Sequence, residues 1–161
     1  MKVSWIGVCG IAMAGLAIIA AADRRAQEPF GDAPAMIEFQ RAADSYAFSH
    51  RQLERRGQGP AITVEGTLFT PVVADAFRKR IRRATAGACQ LPDAAIHDSS
   101  VPRVDTRIER ALEVPACIAA ALPALPAELE YRLAGVALVL ADAHLHIVVD
   151  VLHAAFPGRD N

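Results

Sequence analysis

A change of period near the C-terminus constrains this chain more than any other feature. Leu129, Tyr131 and Leu133 alternate with Glu130, Arg132 and Ala134; past Gly135, Val136, Leu138 and Leu140 alternate with Ala137, Val139 and Ala141. Alternation is the signature of a strand with one buried face, and two such runs around a glycine predict a hairpin. The run "LHIVVDVL" at 145–152 is apolar and β-branched. It reads as a third strand with one dry and one wet side, the alternative being a helix capped by Asp142. Because a lone hairpin is marginal in water, the expected fold class is α+β: two or three helices packed on a small C-terminal antiparallel three-stranded meander.

The helices show a different spacing. Met36, Phe39, Ala43, Tyr46, His50 and Leu53 step by three and four, after Asp32 as a cap and Pro34 at an early helical position. His50 falls on that apolar stripe, where a core histidine bonded to a neighbour is the expectation. "RRGQGP" at 55–60 ends this helix, and "AITVEGTLF" after it reads as extended chain. A second helix opens with Thr70 as cap and Pro71 in the first turn, buries Val73, Ala76, Phe77, Ile81 and Ala84, and ends before Gly87. Residues 88–114 are rich in Pro, Asp and Ser at first and read as a long loop, a helix in their later part being the alternative; "ACIAAAL" has room for two helical turns before the prolines of "PALPAEL".

The beginning of the chain speaks to compartment. Lys2, an uncharged run from Val3 to Ala22 that ends in small residues, and then Asp23, Arg24 and Arg25 have the layout of an export signal. The alternative is an uncleaved anchor, since about 20 apolar residues can also cross a bilayer. The organisation is therefore a signal peptide or membrane anchor over 1–22, a flexible tether over 23–33 and a single α+β domain over 34–157. Location follows as periplasmic or secreted, or anchored to the inner membrane through residues 3–22.

Setting residues 1–22 aside removes only Lys2 and leaves 16 basic against 18 acidic side chains, so no global field favours nucleic acid. Arg78, Lys79, Arg80, Arg82 and Arg83 crowd around Ile81. Arg78, Lys79, Arg82 and Arg83 are candidate contacts for an anionic partner; equally, cations near a helix C-terminus complement its dipole and flank a buried Ile. Cys9 lies in the leader. The remaining pair, Cys89 and Cys117, is most simply a disulfide in an oxidising compartment, two small buried thiols being the alternative.

"GTLFTPVVADAFRKRI" and "LPALPAELEYRLAGVALVLADAHLHIVVDVLHAAFP" resemble a group of uncharacterised bacterial exported proteins. The likeness rests on His50, Arg51 and Leu53; on Phe69, Thr70 and Pro71; and on Leu122, Pro123, Leu125, Pro126, Glu130, Tyr131, Arg132, Gly135, Leu138, Val139, Leu140, Val148, Val149 and Asp150. It implies export and carries no biochemical function. The Tyr131-Arg132 to Gly135 arrangement is also loosely similar to the end of periplasmic nickel and cobalt homeostasis proteins.

Two kinds of chemistry can be read from the residues. On a strand, His144 and His146 share a face with Asp142, and such donors suit zinc or nickel as the only cofactor in prospect. Ser99 and Ser100, with His97 and Asp98 beside them, are the residues a small hydrolase would use, although no nucleophile-elbow pattern accompanies them. The leading expectation is a non-catalytic exported domain with a binding or structural role in the cell envelope. Its partner there is unknown, and the exposed parts of the first two helices are its contact surfaces.

Overall fold

Thr70 and Pro71 begin the helix that organises the domain. In a computed structural model that describes residues 31–59, 63–87, 89–93, 101–108 and 111–156, Thr70 accepts a hydrogen bond from the Val73 amide at 3.5 Å. Pro71 stands where no intrahelical donor is needed. The helix, α2, spans Pro71–Thr85 and buries Val73, Ala74, Ala76, Phe77 and Ile81. The longer α1, Ala33–Arg55, buries Ala35, Phe39, Ala43, Tyr46, Ala47 and His50. Asp32 precedes α1 without a side-chain cap bond, contrary to the sequence expectation. Its carboxylate instead accepts from Arg80 Nε of α2 at 2.6 Å, where a charge-assisted bond outweighs a neutral cap. Burial pushes the Asp32 carboxyl up, but the hydrogen bond and charge of Arg80 hold it below the usual range.

The sheet has four antiparallel strands in chain order, one more than the sequence suggested. β1 is Leu112–Glu113, followed by a single helical turn α3, Ala116–Ala119, and then by β2, Leu129–Ala134, β3, Ala137–Asp142, and β4, Val148–Leu152. The sheet is therefore not a simple C-terminal meander: its edge strand comes before α3. β1 pairs Leu112 with Leu133 and Glu113 with Arg132. Two residues are too short to show an alternation, which is why sequence pattern misses this strand. The expected hairpin is present, with Ala134 opposite Ala137 and Gly135 at φ +58 as first residue of the turn, a conformation that favours glycine.

β4 starts at Val148, later than the run 145–152 implied. His144 and Leu145 belong to the β3–β4 turn, and His146 has φ 53. The cause is Asp142, whose Oδ1 accepts the amides of His144 at 2.9 Å and Leu145 at 2.8 Å and so folds the chain into a turn.

Neither side of the sheet is wet in its centre. Leu129, Leu133, Leu138, Leu140 and Leu152 face the helices, where the rings of Phe39 and Phe77 lie 4.7 Å apart and those of Phe69 and Phe77 5.2 Å apart. Such aromatic pairs add about 1 kcal/mol each to the burial of their area. On the other side Ala134, Ala137, Val139, Val148 and Val151 pack under Val101, Val104 and Ile108. This segment of the long loop follows the β4 edge: Asp105 N donates to Val148 O, Val148 N to Thr106 O and Ile108 N to His146 O. With the helices on one side and this loop on the other, all six residues of β3 are buried. Cys89 and Cys117 form a disulfide with Cα atoms 5.9 Å apart, tying the end of α2 to α3. Among the described residues no helix is long and apolar enough to cross a membrane, and residues 1–30, with the expected leader and most of the tether, lie outside them.

Candidate functional site

The C-terminal half of α1 carries Tyr46, His50 and Glu54 at successive four-residue steps, a spacing that stacks side chains on one helix face. That face meets the end of β3. Tyr46 donates its hydroxyl proton to Asp142 Oδ2 at 3.0 Å, in a contact buried from solvent. Burial first, and then the Asp142 charge, raises the Tyr46 hydroxyl well above its usual range, so the phenol stays protonated and remains a donor.

His50 and Asp142 are both 0% exposed, and His50 Nδ1 lies 2.9 Å from Asp142 Oδ2. On the other side of the ring, Nε2 lies 3.1 Å from Glu54 Oε1. Neither approach has the in-line N–H···O geometry of a hydrogen bond, and among the described residues neither ring nitrogen has another partner. An imidazole buried in this state is costly unless something else engages its nitrogens.

Asp142 is held from behind. Its Oδ1 is committed to the amides of His144 and Leu145, which leaves Oδ2 turned toward Tyr46 and His50. The same turn presents His144, 54% exposed, with Nδ1 3.9 Å from Glu54 Oε1 and its ring centroid 6.0 Å from that of His50. One donor atom from each of His50, Asp142 and His144 can be chosen so that all lie within 4.8 Å of one another.

Beside this corner Arg51 donates to Glu128 Oε1. Burial pushes the Glu128 carboxyl up, but the Arg51 hydrogen bond, its own backbone amide and the Arg51 and His50 charges hold it below the usual range.

The residues singled out from sequence separate into several places. Asp142 and His144 join the corner. His146 is 60% exposed and turns to Glu130, with Nδ1 3.7 Å from Glu130 Oε1. Glu130 pairs with Ala141, so it lies on the sheet face opposite Asp142. His144 and His146 thus do not converge, because they sit in a turn and the two-residue alternation of a strand does not apply to them.

His50 takes the place expected for His146. The sequence signal that could have found it is the step from Tyr46 to His50, two polar groups on the buried stripe where a helix usually places apolar ones, with Glu54 one turn further on. Among the basic residues of α2, Arg78 donates to His153 O at 3.0 Å and lies 3.6 Å from Asp75, while Lys79, Arg82 and Arg83 are exposed. His97, Asp98, Ser99 and Ser100 lie outside the described residues. Comparison of the chain with protein-family models, with curated proteins and with solved structures finds no match.

Proposed function

We propose that this chain is an exported domain that works by binding, not by turnover, and that its binding centre is the corner made by His50, Asp142 and His144. One observation carries this reading: a fully buried histidine whose two nitrogens lack hydrogen-bond geometry faces a buried carboxylate. The corner opens to solvent through His144 and Glu54, 54% and 50% exposed. The side chains that meet there are imidazoles, carboxylates and a phenol, donors suited to holding a ligand. The Cys89–Cys117 disulfide supports an oxidising compartment, as do the leader-like residues 1–22 and the resemblance to exported proteins.

The melting temperature of the disulfide-bonded protein should rise when the small-solute fraction of an envelope extract is added. The rise should be lost in His144→Ala, a surface change that leaves the core intact. Equal responses from both proteins would overturn the assignment of the site. For location, cell fractionation with sequencing of the mature N-terminus should find the oxidised chain in the envelope; a reduced chain in the cytoplasm would overturn export.

A further inference from the structure

We infer that the ligand of this corner is a single divalent transition-metal ion of the zinc and nickel class, held by His50 through Nδ1, Asp142 through Oδ2 and His144. The inference rests on the binding reading above and names its ligand.

The geometry around His50 separates a metal ligand from an ordinary core histidine. A core imidazole donates one N–H in line to an acceptor. Here Nδ1 comes within 2.9 Å of Asp142 Oδ2, yet the contact lacks that alignment. Two donors bound to one tetrahedral ion at about 2.0 to 2.2 Å sit roughly 3.4 Å apart, with lone pairs that converge on a point off the line between them. The His50–Asp142 pair, at 2.9 Å, comes within about 0.5 Å of this spacing.

Two of the three ligands, Asp142 and His50, also have groups placed behind them. Asp142 is pinned by two backbone amides on Oδ1 and by the Tyr46 hydroxyl on Oδ2. Glu54 stands 3.1 Å from His50 Nε2, the nitrogen left over when Nδ1 binds the ion, as carboxylates commonly do behind metal-bound imidazoles.

His144 is the part that must move. The three donors lie within 4.8 Å of one another, which is wider than a bound ion allows by about 1.5 Å. Its side chain is exposed and follows directly on the Asp142 turn, so a rotation suffices to close the set. Three protein ligands with the third on the surface leave one position of a tetrahedral ion open. That suits an ion that enters and leaves through His144. Two imidazoles with one carboxylate favour zinc, nickel or copper over magnesium and calcium, which prefer oxygen alone.

The test uses the disulfide-bonded protein stripped with chelator, then dialysed against micromolar zinc, nickel or magnesium and assayed for bound metal. Wild type should retain one equivalent of zinc or nickel and no magnesium. His144→Ala and Asp142→Asn should bind at least tenfold more weakly, and His146→Ala as wild type. Cobalt(II), used as a spectroscopic stand-in, should give visible bands in wild type and His146→Ala that are lost in His144→Ala. Failure to retain zinc or nickel, or retention by His144→Ala equal to wild type, would overturn the inference. An extract freed of metals by chelating resin separates the two proposals. If it still raises the melting temperature in a His144-dependent way, the binding reading stands and the metal inference falls.

Discussion

Asp142 and Asp150 occupy neighbouring strands, point toward the same helices and are both fully buried, yet they are used in opposite ways. Asp150 gives both oxygens to main chain: Oδ1 accepts the amides of Gly66 and Val151 at 2.8 Å, and Oδ2 those of Leu68 at 2.7 Å and Phe69 at 2.8 Å. Gly66 takes φ +83 to reach it. The result is a turn held against β4 that delivers Thr70 to the start of α2. Asp142 commits only Oδ1 to main chain and turns Oδ2 to side chains, Tyr46 and His50. A buried carboxylate whose acceptors are all taken by backbone is scaffold. One with an oxygen facing an imidazole outside hydrogen-bond geometry is, on the proposed reading, available to a ligand.

The largest expected effect is on the scaffold side. Asp150→Ala strips four amides of their acceptor, three of them on the buried residues Leu68, Phe69 and Val151, and should cost about 3 to 5 kcal/mol in urea unfolding. The yardstick is the disulfide: replacing Cys89 and Cys117 by serine, across a separation of 28 residues, should cost about 3 to 4 kcal/mol in the chain-entropy model. An Asp150→Ala protein that loses much less than this would show that the two aspartates do not differ as described.

Asp142→Asn keeps an acceptor for the turn and should cost only about 1 to 2 kcal/mol while weakening the proposed metal binding at least tenfold. A loss as large as that of Asp150→Ala, measured in the same denaturant, would erase the contrast. Thr70→Ala removes the cap of α2 and a hydrogen bond to Glu38 at 2.8 Å; about 1 kcal/mol is expected from thermal melts.

The smallest effect is on pH dependence. Asp32 and Glu128 both have carboxyls held below their ordinary range, so the stability they contribute is present above the unfolded-chain value near about pH 4 and is lost as pH falls through the folded one. Acid titration of the melting temperature should show this decline, and Arg51→Met should make the decline shallower by removing the partner of Glu128.

Local chemistry made several elements legible. Proline and threonine at the start of α2 act through bonds within one helical turn, and Gly135 acts within two residues, so both could be read without tertiary knowledge. β1 could not, because its pairing with β2 is imposed by the partner strand and not by any pattern in Leu112 and Glu113. The second sheet face was misjudged for a related reason. Ala137, Val139 and Ala141 are apolar enough to be buried, but only the return of Val101, Val104 and Ile108 from the long loop decides that they are. At the site, His144 was visible as a donor, and the shape of its turn was not: that came from one oxygen of Asp142 competing with strand hydrogen bonding.

The amino-acid sequence by itself determined the two long helices, the hairpin and the pair of cysteines able to join, because periodicity, capping and turn chemistry act over a few residues. Only the tertiary structure decided that Tyr46 would reach Asp142, 96 positions away, and bring His50 with it. That contact depends on where the C-terminal half of α1 meets the end of β3. Phe39 of α1 packs with Phe69, Phe77 and Tyr131 in one core, a long-range solution that no local pattern encodes.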